Sequence, residues 1–404
     1  MKPSLLPFLA LLLLLFCCSG ENGSPIEKPI EYGNDGALLK KIEIDGAVGL
    51  VAVNDLEKVY NYSQSWSFFH ETLKKINSDG TVAQASFDIE GEPNGGFSEY
   101  LVNDISDRYF LISFYLRKES YIIDKHNGLA VKTHFTPASQ LSSTTVNNKW
   151  FYKDNVSYKL YRVDNFMLST DAVRTELPVD SYMKDLYVDA HEELYIKSQD
   201  DIYYIDKGLG HITGFTANSV ALWRDGNYTL KTVSRDGKIY TLSPTTGGFL
   251  EYEKDFGMPV TTWSNTIPFE FTWENKQFLL FTDAASGATH LFDLVKNESA
   301  VDLTDENTVF TTYGSAIHDQ TIVLFQSDSE TQRLVTIDIN DLTVKKVDVN
   351  ATSNEYGKFY ALTPGLSVLE ACENATVCSL KTIDAAGTVA DLSGQPIRGT
   401  VIKL

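Results

Sequence analysis

Tyr203-Tyr204-Ile205-Asp206-Lys207-Gly208 is an alternating apolar stretch that stops at Asp and Gly, and the phrase returns in Val335-Thr336-Ile337-Asp338 and Lys381-Thr382-Ile383-Asp384. Alternation with a period of two marks a strand, and the Asp or Gly that follows supplies a turn into a second strand, so each copy reads as a β-hairpin. Working outward, eight copies are anchored on Ile76, Ile123, Val163, Ile205, Leu242, Leu294, Ile337 and Ile383, at intervals of 37 to 52 residues. The mean interval of about 44 residues falls in the range of repeat architectures.

From residue 180 onward each period divides into four short strands. Asp185 to Val188, Glu193 to Lys197, Ile202 to Ile205 and His211 to Phe215 form one such set, and Val220 to Trp223, Tyr228 to Val233, Lys238 to Leu242 and Gly248 to Tyr252 form the next. Arg224-Asp225-Gly226-Asn227 and Ser234-Arg235-Asp236-Gly237 supply turns inside the second set. Four antiparallel strands per period is what a β-propeller blade requires, and no sustained 3.6-residue apolar period competes with it. The fold expected is all-β, a propeller of eight four-stranded blades. Seven blades with a divergent first repeat acting as closure is the alternative. The first copy is the least regular, with Ala47 to Val53, Trp66 to His70, Thr72 to Ile76 and Thr81 to Phe87 as its strands. Thr400 to Leu404 is a further short strand expected to pair with blade one and close the ring. In the third copy the innermost strand is weak.

A chain of 404 residues would ordinarily suggest two or three domains. Repeats override that, because each unit buries its apolar faces only against its neighbours, so residues 37–404 are expected to form one propeller. Lys and Arg number 34 against 54 Asp and Glu, a formal charge of −20 spread along the chain. Such a surface repels phosphate backbones, and no nucleic-acid partner is expected.

Lys2 precedes an apolar run from Leu5 to Phe16, which is too short to span a bilayer and has the form of a signal peptide. The sequence that follows, Leu15-Phe16-Cys17-Cys18-Ser19-Gly20, resembles the lipobox of bacterial lipoproteins. The resemblance implies lipidation at Cys18, with Cys17 as the alternative, and residues 1–18 as the signal segment. Phe16 and Cys17 depart from the residues usual at their places. Ser19 after the cysteine implies the outer membrane. Ordinary secretion, with cleavage after Gly20, is the competing expectation. Residues 19–36 are rich in Gly, Glu, Pro and Asn and read as a flexible tether.

Beyond the signal segment the cysteines are Cys372 and Cys378, bracketing polar Glu373 and Asn374 between two apolar runs. In an exported protein a hairpin disulfide is expected. Zinc would need two further ligands, and no other Cys or His lies near in sequence, so no metal site is assigned.

No catalytic residues emerge. There is no Gly-x-Ser-x-Gly elbow and no His-x-His or His-Glu-x-x-His among the seven histidines. Asp124, Asp164, Asp206, Asp338 and Asp384 recur at the end of one strand, which suggests a ring of carboxylates for calcium or for acid–base work. The simpler account is that Asp suits the turn through its own backbone hydrogen bonds.

With the lipobox-like start and the Ile-Asp-x-x-x-Gly hairpins together, the chain resembles the propeller lipoproteins of Gram-negative envelopes, quinoprotein-like and translocation-system propellers among them. Quinoprotein blades carry Ala-x-Asp-x-x-Thr-Gly-x-x-x-Trp, and that Trp is missing after the turns here, so no cofactor is expected. The resemblance implies a non-enzymatic envelope lipoprotein, held at the outer membrane by its lipid, that binds a protein or glycan on one ring face. A propeller enzyme, a glycosidase, lyase or lactonase with its site at the channel mouth, is the alternative. It would require His, Arg and carboxylates converging there within hydrogen-bond reach.

Overall fold

The computed structural model describes residues 40–54, 72–85, 100–114, 119–133, 142–153, 159–167, 173–180, 185–189, 191, 193–198, 201–205, 212–216, 219–225, 229–242, 250–255, 269–273, 276–282, 289–303, 311–318, 320–328, 330–350, 355–374, 377–394 and 396–404. The signal segment with Cys17 and Cys18, the tether at 19–36 and the strand expected at Trp66 to His70 lie outside these residues. Among the described residues there is no helix, and the strands fall into eight antiparallel sheets that form an eight-bladed β-propeller.

Blades two to eight occupy residues 100–133, 142–180, 185–216, 219–255, 269–302, 311–348 and 355–391, each with four strands paired in sequence order. The first strands of neighbouring blades approach one another, as in blades three and four, five and six, and seven and eight, so these strands wall the central channel. The fourth strands are the wet edge. Leu250–Asp255 and Val344–Asp348 carry mostly exposed side chains, as an outer rim must.

The core is eight separate slabs between blades rather than one interior. In the second strand of blade six, Phe278 and Leu280 pack toward blade seven while Leu279 and Phe281 pack toward blade five. In blade seven, Ile322 and Leu324 face blade six, and Val323 and Phe325 face blade eight. A strand turns successive side chains to opposite faces, so a run apolar at every position suits a blade covered on both sides. This is why the second strands read as continuous apolar stretches and the outer ones as alternating.

Blade one departs from the sequence expectation. Ala47–Asn54 is its second strand, paired directly with Thr72–Asn77, which pairs in turn with Val82–Gln84. The first, channel-side place is filled by Arg398–Lys403, in register from Gly49↔Lys403 to Asn54↔Arg398. Closure by the late strand is therefore as expected, although it begins two residues earlier and takes the innermost position. Val401 packs into the slab shared with blade eight and Ile402 into the slab shared with blade two. Two such fully buried side chains are worth roughly 3–6 kcal/mol of apolar burial, enough to make this strand a firm latch.

Blade two carries a strand that the sequence did not suggest. Lys40–Lys41 pairs with its outer strand Leu129–Thr133, and the Ile42 amide donates to the Gly128 carbonyl at 2.8 Å. Gly128 sits at φ +70°, and a Cβ there would lie 2.2 Å from the Ile42 carbonyl oxygen, so both the turn and the close approach require glycine.

Candidate functional site

Three of the five recurring aspartates, Asp124, Asp338 and Asp384, are turn-makers. Asp338 accepts the Asn340 amide at 2.8 Å, and Asp384 accepts those of Ala386 and Thr388, each at 2.8 Å. Asp124 accepts the His126 amide with one carboxylate oxygen, while the other receives Arg108 Nε at 3.2 Å. Asp164 pairs with Arg162 of its own strand at 3.1 Å. Asp206 lies outside the described residues. Backbone amides at Thr388 hold the Asp384 carboxyl below the usual carboxylate range, which is the electrostatic mark of an Asx turn. Asp124, Asp338 and Asp384 are engaged within their own blades, Asp164 keeps one buried carboxylate oxygen without a hydrogen bond, and among the described residues no group of His, Cys, Asp and Glu is arranged to hold a metal.

Cys372 and Cys378 face each other as register partners on the second and third strands of blade eight and form the expected disulfide. It lies beside the latch: Arg398 Nε donates to the Cys378 carbonyl at 2.8 Å, and the Leu380 amide donates to Ile397. The bond thus staples the hairpin against which the closing strand lies.

The first strands of blades eight, one and two bring a different set of groups together. All first strands run the same way, so Asp104, the last residue of Tyr100–Asp104, and Lys403, the last of Arg398–Lys403, share one end of the channel. Asp107 and Lys125 lie in turns at the same end of blade two, tied by the Lys125 amide to the Arg108 carbonyl at 2.8 Å. Lys125 Nζ meets Asp104 Oδ1 at 2.7 Å. From blade eight come Lys358 and Tyr360 on Glu355–Thr363 and Glu370 on the adjoining strand, whose carboxylate folds over Gly357 to take the Lys358 amide at 3.3 Å.

Electrostatically, Asp104 is coupled to Lys125 and Lys358, Tyr360 to Glu370 and Asp104, and Lys403 to Asp107 and Lys125. Asp104 is 49% exposed at its side chain, yet its carboxyl is pushed up, first by desolvation, against the opposing pull of Lys125 and Lys358. A side chain that water reaches but protein surrounds on most sides behaves this way, as expected for a wall of a narrow channel. Burial likewise raises the Tyr360 phenol, helped by Glu370 and by Asp104 from across blade one. Burial lowers the Lys403 ammonium, with Asp107 opposing and Lys125 reinforcing the shift. Lys403 makes no ion pair among the described residues, and neither does Lys358.

The guanidinium–carboxylate pairs nearby belong to the scaffold. Arg108 is held by fully buried Asp124 at 3.1 Å, and His318, at the end of the first strand of blade seven, is bonded to the Ala361 carbonyl at 2.8 Å. The seam cluster itself contains lysines, carboxylates and a tyrosine, groups that can hold a ligand or move a proton. Its members were not legible in sequence, because they lie far apart along the chain and meet through ring closure.

No protein-family model and no curated protein matches the chain. Solved structures of similar fold include a streptogramin B lyase, at 14% identity and TM-score 0.41 over 70% of this chain and 92% of that one. Another is Hsv2 of Kluyveromyces lactis, at 12% and 0.44 over 70% and 92%. A third is the dihydro-heme d1 dehydrogenase NirN, at 14% and 0.43 over 79% and 74%. These likenesses are of propeller fold and extend to no site.

Proposed function

We propose that the protein is an exported binding propeller, anchored in the outer membrane through lipid on Cys18 and held off the bilayer by residues 19–36, whose working surface is the channel mouth at blades eight, one and two. The observation that carries it is Lys403: it ends the innermost strand of blade one at this mouth, half-buried and without an ion pair among the described residues, and the nearby Asp107 charge does not offset the cost of its burial. The partner is a protein or a glycan of the envelope rather than a molecule that is chemically transformed, since the arginine and histidine groups near this mouth are already engaged in holding turns and strands. A photo-crosslinking amino acid at position 358 should capture the partner in cells, while the same group at Glu251, on the outer strand of blade five, should not. Equal capture from both positions sinks the assignment of the face. Cys18→Ala should release the protein from the membrane fraction, and retention with Cys17 intact would move the anchor to Cys17.

A further inference from the structure

We propose that the Cys372–Cys378 disulfide is a redox-sensitive catch on ring closure, opened by a dithiol reductant, with Arg398 stabilising Cys378 as the thiolate once the bond is broken. The fourth strand of blade eight is only Val389–Asp391 and ends opposite Lys381, so the start of the third strand has no outer strand beside it. The residues that lead into the closing strand stand there instead. The Ile397 carbonyl takes the Leu380 amide at 2.8 Å, and Arg398 Nε donates to the Cys378 carbonyl at 2.8 Å. Arg398 is also the first residue of the closing strand, opposite Asn54 of blade one. The disulfide therefore pins the stretch of strand against which the entry to the latch rests. Two features suit exchange rather than a permanent cross-link. Cys378 is half-buried where Cys372 is buried, which makes it the more accessible of the two to an attacking thiolate. Arg398 Nη2 is buried without a hydrogen-bond acceptor, although Nε of the same guanidinium lies against Cys378. A buried donor left unmade costs stability, and a thiolate at Cys378 supplies the acceptor, so Arg398 favours the reduced form. Lys381, the next charged residue along this strand, is already paired with Asp391. In the exchange the reductant's thiolate attacks Cys378 Sγ and Cys372 leaves as a thiol. The reductant's second thiol then displaces Cys378 and closes its own disulfide. One S–S bond breaks and one forms, two electrons pass to the protein, and of the two thiol protons one goes to Cys372 and the other to solvent.

Equilibration of the full chain with mixtures of reduced and oxidised dithiothreitol tests this, each cysteine being read separately by alkylation and peptide mass spectrometry. Arg398→Gln should lower the equilibrium constant for reduction by about tenfold, which corresponds to about 30 mV for a two-electron couple. Arg398→Lys keeps the charge and should stay within about threefold of the parent. In the reduced protein, iodoacetamide labelling of Cys378 at neutral pH reports the thiolate. It should fall about tenfold in Arg398→Gln while that of Cys372 is unchanged, a difference that a purely structural arginine would not produce. The effect on the ring is read by amide hydrogen exchange. Reduction should speed exchange in Arg398–Lys403 and Ala47–Asn54 by at least about tenfold, leave Thr321–Ser327 of blade seven unchanged, and be reversed on reoxidation. This comparison needs no variant, so it decides the matter even if Arg398→Gln fails to fold. Unchanged exchange in the closing strand on reduction overturns the inference, as does a reduction equilibrium or Cys378 labelling indifferent to Arg398→Gln.

Discussion

Two lysines in the same ring are treated in opposite ways. Lys231, between blades five and six, is 5% exposed at its side chain and reaches Glu270, Glu253 and Asp225 at 2.9, 3.2 and 3.7 Å. Glu270 also receives the Trp223 indole N–H at 2.8 Å and the Gln277 amide, so the node is fully bonded. Lys403, at the seam, has no such partner. Burial disfavours the charged form of both, but Glu270 and Glu253 outweigh it at Lys231 and leave that ammonium harder to deprotonate than usual, whereas Asp107 does not outweigh it at Lys403. A buried charge with counter-ions built around it is part of the scaffold.

The sharpest way to break this contrast is to remove the scaffold charge. Lys231→Ala leaves Glu270 buried without its cation and should cost about 3–5 kcal/mol, read as a lower urea midpoint; a change below about 1 kcal/mol would place Lys231 among the dispensable surface charges. Opening the disulfide acts on the other side of the comparison, since it staples the hairpin behind the closing strand. Cys372→Ala together with Cys378→Ala should cost about 2 kcal/mol, because the loop closed is short. Earlier proteolysis near Arg398–Lys403 should accompany that loss, and unchanged protection there would show that the latch does not depend on the staple. The smallest effect belongs to Lys403→Met, which should stabilise the ligand-free protein by about 0.5 kcal/mol at neutral pH. The folded-state pKa of Lys403 lies below its unfolded value, so the unfolded chain holds a proton that the folded chain lacks between the two, and parent stability rises with pH across that window. The advantage of Lys403→Met should therefore vanish above about pH 10.5. An advantage that persists there would mean packing, not charge, was at work.

Much of the ring was legible because a blade repeats its own signals. Asp185–Val188 and Lys238–Leu242 stand where the sequence placed them, and the turn aspartates were marked by the residues two or four places later whose amides they take. What failed was local weakness. Ser142–Val146, the innermost strand of blade three, is Ser-Ser-Thr-Thr-Val and offers no apolar alternation. Blade one was mis-assembled because its channel strand is borrowed from the other end of the chain, and a scan along the sequence supplies a neighbour instead. The seam cluster was invisible for the same reason. Asp104, Lys358 and Lys403 are ordinary surface residues until the ring closes, and their meaning lies in a proximity that no spacing encodes.

The latch has a consequence in time. Arg398–Lys403 is synthesised after every other blade, so blade one waits with its inner edge unpaired while the remaining seven form. Pairing across nearly the whole chain carries a large loop-closure cost, which makes ring closure a natural slow step. Until it occurs, Ala47–Asn54 presents open backbone donors and acceptors to any passing strand. A chain stalled before residue 398 would thus be an open spiral, prone to pair with its own kind.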